Sequence, residues 1–470
     1  MAISPARTAA FDILLQVERE DGYASELLHS PGYERLSSAD HGLATEIVMG
    51  VLRWRSLLDS GLARFSSRKL EKLDIEVLIS LRMALLQLLL LDRVPPWAAV
   101  HESVELIKRA RKKSAAPFGN ALLRKVSDYA DWRPELDSAV KESREGPAPG
   151  AAPRLMVRSL ASPEECIRDL AGRYAHPVWM VERWWQEFGE EKVRQILRSN
   201  QRVPVTAIHL PCEADESALN KSGIVLLKGA LLRRAARIES GDITHSEPFR
   251  AGRITIQDEA SQLVALLAGK AATILDCCAA PGGKTLILAD RNPQAQVVAA
   301  ELHMHRARVL RKRARARNVH VMVADACQLP LREQFERVLV DAPCSGTGTL
   351  SRHPEIKWRL QPADLEALQS QQLAILESAM KYVVPQGRLI YSTCSLEQEE
   401  NRDVVEKALA ADRTFRLLDC RTELERLRAE GELAWTDLDS LLVGPFLRTL
   451  PGLDPGDGFF AAILEKKQSI

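Results

Sequence analysis

Five apolar runs in the second half of the chain constrain its fold more than any other feature: 272–278 (ATILDCC), 296–302 (QVVAAEL), 320–325 (HVMVAD), 337–343 (RVLVDAP) and 387–395 (GRLIYSTCS). Helical stretches such as 303–318 (HMHRARVLRKRARARN) and 362–383 (PADLEALQSQQLAILESAMKYV) separate most of them. This order predicts a doubly wound α/β domain, with parallel strands joined by helices. Such a sheet binds ligands beyond the carboxyl ends of its strands. The unusual clusters of this region all fall at such ends.

The rest of the chain reads differently. At 470 residues it is long enough for about three domains. Apolar residues recur at helical spacing from Ser4 to about Asp131, so residues 1–140 are expected to form an all-α bundle. Residues 141–154 concentrate Pro, Gly and Ala and read as a linker. Region 155–250 mixes a helix over 177–197 with strand-like pieces, VTAIHL and GIVLL, and is expected to be a small α+β piece. The α/β domain then occupies 251–470. The formal net charge of +1 excludes a uniformly basic coat, so a nucleic-acid partner has to be gripped by local patches. The eight cysteines are scattered without paired metal spacing or a disulfide framework, so no metal is expected. The start lacks a signal-peptide core, and the most apolar run, LLQLLLLD, is too short to span a bilayer. A cytoplasmic protein without membrane contact, and a monomer, is the expectation.

The first strand of the α/β domain ends in DCCAAPGGKT, Asp276 to Thr285. A Gly pair before a helix lets backbone approach a ligand closely, with helix N–H groups facing it. It is neither the Gly-x-Gly-x-x-Gly of dinucleotide enzymes nor the longer phosphate loop. The second strand ends at Glu301, 18 positions past Gly283, about where an acid holds a ribose diol. The third ends at Asp325, suited to a base edge. A nucleoside without a pyrophosphate fits, and S-adenosylmethionine is the obvious one.

The fourth strand runs into Asp341, Pro343 and Cys344, and the fifth ends at Cys394. Fourth and fifth strands of such sheets are often neighbours, so the two thiols could face one pocket. Two thiols and an acid beside a methyl donor suit one reaction. Carbon 5 of a pyrimidine becomes nucleophilic only after a thiolate adds to carbon 6. A free thiol has a pKa of about 8.5, so a polar, cation-bearing site must favour that thiolate. An acid at N3 accepts developing charge, a role for Asp341. A base must then remove the carbon 5 proton, which gives a second thiol something to do. Spacing alone does not decide which cysteine attacks.

These residues resemble a known family. DCCAAPGGKT, DAPCSGTG and YSTCS, with QDEASQL before them and DGFFAAILEK (457–466) after, look like the Nop/Sun family of RNA cytosine-5 methyltransferases. The N-terminal bundle, with ARTAAFDILLQVE, resembles the NusB-like RNA-binding domain fused in the bacterial ribosomal branch of that family. The resemblance implies a multidomain protein, a NusB-like helical bundle joined to a Rossmann-like methyltransferase domain. It implies that Cys394 attacks carbon 6 and Cys344 assists release, with Asp341 and Lys284 also catalytic. It further implies cofactor contacts from Cys278, Ala279, Ala280, Pro281, Gly282, Gly283 and Lys284, and from Glu301, Asp325 and Asp341. Two departures stand out. The family commonly has Asp at the place of Glu301, and Ile208, His209 and Leu210 stand where it usually has Arg-Val-Asn.

For RNA, two patches compete: Lys108, Arg109, Arg111, Lys112 and Lys113 in the bundle, and the helix carrying Arg306, Arg308, Arg311, Lys312, Arg313, Arg315 and Arg317. His353 and Trp358 either stack on a base or pack internally. The expected substrate is small-subunit (16S) ribosomal RNA before assembly. Transfer RNA, or an RNA-binding assembly factor with an inert catalytic domain, are the alternatives.

Overall fold

The computed structural model describes residues 3–128 except 21, 31 and 34, then 162–314 and 318–468. The linker expected at 141–154 and the side chains of Arg315 and Arg317 lie outside the described residues. The chain forms two compact units: Met1–Val203 with Leu350–Arg359, and Pro204–Thr349 with Leu360–Ile470.

The first unit is helical. Helix Ile75–Leu90 is apolar nearly all round and buries residues on every face, as such a helix must. Helices Pro5–Glu20, Ser38–Arg53, Arg55–Phe65 and Pro96–Arg109 contribute Phe11, Leu14, Ile47, Leu52, Leu58, Leu62 and Leu106 to the same core. Three polar residues of the central helix are buried with it, and each is satisfied, Ser80 by donating its hydroxyl to the Glu76 carbonyl at 2.8 Å. Arg82 forks onto Asp59 at 2.7 and 2.8 Å, while Gln87 accepts from Arg7 Nε at 2.6 Å and donates to the Met83 carbonyl at 2.8 Å. Further along, the single helix expected over 177–197 is two helices, Val178–Phe188 and Glu190–Asn200, broken at Gly189 where φ is 77°.

The ten residues Leu350–Arg359 also belong to this unit. Helix ends leave carbonyls and N–H groups without partners, and this segment supplies them. Lys357 Nζ donates to the carbonyls of Arg53 and Ala175 at 2.8 and 2.9 Å, and Trp358 Nε1 to that of Leu52 at 2.6 Å. Arg359 donates to the carbonyls of Val17 and Gly22, and Glu355 accepts from the Ala24 amide at 3.1 Å. Burial pushes the Lys357 ammonium well below its usual pKa. Trp358 therefore packs on the helical core, and His353 meets the ring of Tyr23 edge-on at 5.7 Å.

In the second unit, strands β1 (Ala207–His209), β2 (Val225–Lys228), β3 (Ala235–Ser240) and β4 (Thr255–Ile256) make an antiparallel sheet of order β2-β3-β1-β4. Region 155–250 is thus divided. Its helices up to Asn200 go with the first unit, whereas the rest, including helix Glu213–Lys221 and β1, goes with the α/β part, and β1 is tied there by its ladder to β4, Ile208 opposite Ile256. The main sheet contains all five expected strands: β5 (Thr273–Asp276), β6 (Gln296–Glu301), β7 (Val319–Val323), β8 (Phe335–Asp341) and β9 (Val383–Thr393). They are parallel and ordered β7-β6-β5-β8-β9. The 457–466 stretch adds an antiparallel strand, β13 (Phe459–Lys466), beside β9. It is flanked by β10 (Phe415–Leu418) on one stretch and by β12 (Phe446–Thr449), itself paired with β11 (Leu442–Val443). Apolar clusters cover both faces of the sheet, as parallel strands require. β6 and β8 leave β5 on opposite sides, which puts the crevice of such folds at the carboxyl ends of β5 and β8.

Candidate active site

Beyond the end of β5 the chain makes a tight loop and enters helix Gly283–Arg291. Gly282 caps it with φ at 109°, a conformation side chains resist; a Cβ there would stand 2.5 Å from Leu310 Cδ1. A Cβ on Gly283 would stand 2.8 Å from Gln257 Cδ. Side chains are thus kept off this loop, leaving an open cleft. Cys278, Ala279, Ala280, Pro281, Gly282, Gly283, Lys284 and Asp341 all line it, together with Asp276 and Arg313.

The other two acids stand apart from that wall. Glu301, at the end of β6, is buried; its carboxylate accepts from the His303 amide at 2.9 Å and from the Ala280 amide at 3.4 Å, so it touches the loop from behind β5. Asp325 is exposed past the end of β7, where it accepts from the Cys327 amide at 2.9 Å. It lies on the expected edge of the sheet but does not line the cleft.

The catalytic candidates converge. Lys284 Nζ meets Asp341 Oδ2 at 2.7 Å and lies 5.0 Å from the centre of the Phe459 ring. Asp341 Oδ1 accepts from Ser392 Oγ at 2.9 Å, across the β8–β9 ladder that pairs these two residues. Three residues past Asp341 and two past Ser392, Cys344 Sγ and Cys394 Sγ are 3.3 Å apart. The hydrogen bond with Cys394 and burial push the Cys344 thiol well above its ordinary pKa. At this separation one sulfur can donate its proton to the other as thiolate. Burial also pushes the Asp276 carboxyl up to about 7, while Thr285 Oγ1 donates to it at 2.7 Å. Cys277, Cys278 and Cys420 are pushed up by burial, consistent with thiols that pack rather than react.

Some residues of the site gave no signal in the sequence. Arg313 stands in the sequence only as one of a basic run weighed for RNA, yet it lines the cleft and donates to the Pro281 carbonyl at 3.3 Å. Glu400, Gln372, Ser345 and Ser395 form a buried polar cluster beneath the two thiols. Their separation in the chain hides it; Ser and Glu residues near a Cys motif carry no spacing rule. The bundle patch is largely self-compensated. Lys108 pairs with Glu105 at 2.7 Å, Arg109 with Asp12 at 2.9 Å and Lys112 with Asp74 at 3.1 Å. Among the described residues, no group of three or more His, Cys, Asp or Glu could hold a metal ion, and no helix is long and apolar enough to cross a membrane.

The chain is similar to known proteins along nearly its whole length. Residues 264–465 match the family described as 16S rRNA methyltransferase RsmB/F, and residues 4–128 match the NusB family. The chain is 31% identical to the probable ribosomal RNA small subunit methyltransferase B of Bacillus subtilis (strain 168), over 99% of this chain and 100% of that one. It is 30% identical to the ribosomal RNA small subunit methyltransferase B of Vibrio cholerae, over 99% and 98%. The crystal structure of PH0851 superposes with a TM-score of 0.76 at 23% identity, covering 99% of this chain and all of that one, and so shares the fold.

Proposed function

Because the chain belongs to the RsmB/F family of small-subunit ribosomal RNA methyltransferases, we propose that it methylates carbon 5 of a cytosine in 16S ribosomal RNA through a covalent adduct of Cys394 with carbon 6. The observation that carries this reading is the pair of sulfurs 3.3 Å apart at the ends of neighbouring strands. The methyl donor is S-adenosylmethionine. It fits a loop whose two glycines exclude side chains from the cleft, with Glu301 behind it for the ribose diol and Asp325 on the same edge for the base. When bound, it supplies the electrophilic methyl group.

The remaining chemistry belongs to the chain. Cys394 as thiolate adds to carbon 6, forming the C–S bond and leaving carbon 5 electron-rich. The Lys284–Asp341 pair supplies a proton toward N3 and so accepts the charge that addition pushes into the ring. After carbon 5 takes the methyl group, Cys344 assists removal of the carbon 5 proton. The C–H electrons restore the C5–C6 double bond and expel Cys394 as thiolate.

The test is a denaturing gel with labelled RNA and cofactor. Cys344→Ala should stall as a slow protein–RNA band bearing the methyl group. Cys394→Ala and the double variant should give no band and no turnover. An adduct in Cys394→Ala would reverse the two roles, and full turnover by both single variants would end the mechanism. Bisulfite sequencing of ribosomal and transfer RNA from a deletion strain identifies the target; loss of a mark from transfer RNA alone would overturn the ribosomal assignment.

A further inference from the structure

Beneath the two thiols lies a carboxylate that the reaction as derived does not use. Glu400 is fully buried, with no solvent exposure. Four donors converge on its two oxygens. The Ser345 amide and Gln372 Nε2 reach Oε1 at 2.8 and 2.9 Å, and the hydroxyls of Ser345 and Ser395 reach Oε2. The same two hydroxyls stand 3.0 Å apart. Ser345 follows Cys344 and Ser395 follows Cys394, so one carboxylate holds the residue after each thiol. We propose that Glu400 is a positioning residue that fixes Cys344 against Cys394 and thereby sets the rate at which the methylated base is released.

The two thiols depend on it unequally. Cys394 follows directly on β9, whose last residues are paired on both sides, Ser392 with Asp341 and Thr393 with Phe460. Its carbonyl also accepts from the Gly348 amide at 2.9 Å. The sheet therefore places Cys394. Cys344 stands three residues past the end of β8 in chain that has left the ladder. There the ties on its two neighbours run through this cluster: Gln372 Nε2 bridges the Pro343 carbonyl, at 3.0 Å, to Glu400, and Ser345 gives Glu400 both its amide and its hydroxyl. A carboxylate is an acceptor-only group and suits four donors. A glutamine of the same shape replaces one acceptor oxygen by an NH2 and removes the charge, so the Ser345 and Ser395 hydroxyls have to turn from donating to accepting. Loss of the carboxylate should loosen Cys344 far more than Cys394, so addition and methyl transfer survive better than release.

This inference rests on the covalent-adduct reading, and the experiment separates the two. Glu400→Gln, Ser345→Ala and Cys344→Ala are compared with the wild-type chain in single-turnover assays. Adduct formation, methyl transfer and adduct decay are timed separately, alongside melting temperature and S-adenosylhomocysteine affinity. Folded Glu400→Gln should slow adduct decay about 100-fold, the effect of displacing a reacting group by roughly 1 Å. Formation and methyl transfer should change less than about tenfold by the same reasoning. Ser345→Ala keeps the amide bond and the rest of the cluster, and should fold and slow decay by a smaller factor. If Glu400→Gln does not fold, that variant decides: wild-type decay in Ser345→Ala overturns the proposal. Equal slowing of formation and decay in a folded Glu400→Gln marks a merely structural role and also overturns it. A trapped adduct in Cys344→Ala with unchanged decay in Glu400→Gln removes Glu400 alone, whereas no adduct in Cys344→Ala removes the reading and the inference together.

Discussion

Replacing Asp276 by Asn should make the α/β unit more stable at alkaline pH and leave it nearly unchanged in mild acid. The carboxyl closes β5, is 1% exposed, and burial moves it from its ordinary 3.8 up to about 7. An acid whose folded pKa is raised binds more protons folded than unfolded between the two values. Stability then falls as pH climbs through that window, and the full loss is present above about 7. At about 1.4 kcal/mol per pKa unit, the span of roughly three units corresponds to about 4 kcal/mol as an upper bound. Asn keeps an oxygen for Thr285 Oγ1 and has no charge to bury. The stability difference between variant and wild type should therefore change by about 3 kcal/mol between pH 5 and pH 8, in favour of the variant at pH 8. Hydrogen exchange of peptides spanning β5 and β6, followed against urea at both pH values, isolates this unit from the helical one. An identical difference at pH 5 and pH 8 would refute burial of an ionisable carboxyl as the cause.

Gly282→Ala should cost about 2 kcal/mol or more, from left-handed strain and from pushing Leu310 aside, and should weaken S-adenosylhomocysteine binding in calorimetric titration; wild-type affinity would mean the loop does not cradle the cofactor. Glu301→Ala should weaken the same ligand by about 1.5–3 kcal/mol, the loss of a charge-assisted hydrogen bond, with the fold retained by circular dichroism. Trp358→Ala should destabilise the helical unit by about 3 kcal/mol, read as a lower melting temperature, because its ring packs on that core and its N–H satisfies Leu52. An unchanged melting temperature with weaker RNA binding would assign Trp358 to base stacking instead.

What could be read from the chain tracks how local each signal is. The five parallel strands declare themselves because each is a run of Val, Ile and Leu closed by an acid or a turn, and strand ends of this kind are where Asp276, Glu301, Asp341 and Cys394 sit. The meeting of the two thiols followed from one topological expectation, that the fourth and fifth strands are neighbours, and β8 and β9 do pair. The Glu400 cluster was invisible for the opposite reason. Its members lie in a loop, a helix and a turn, and nothing short of the folded sheet brings Ser345 to a residue 55 positions away. Arg313 was lost in a run of like charges, since a helix face is decided by its neighbours and not by its composition. Region 155–250 reads as one piece because its strands of three to six residues give no periodicity to count, whereas the β1–β4 ladder shows which side they join.

The ten residues between Thr349 and Leu360 make the helical unit an interrupted one. A bundle at the front of a sequence invites the picture of a cassette, attached or removed by one cut behind it. Here the cassette includes a staple that is coded inside the catalytic half. Cutting away residues 1–140 would strip Lys357, Trp358 and Arg359 of the Arg53, Leu52, Val17 and Gly22 carbonyls they cap, leaving donors and an indole without their lodging just past the Cys344 loop. Such a truncation perturbs more than RNA affinity, and a truncation series cannot be read as simple subtraction.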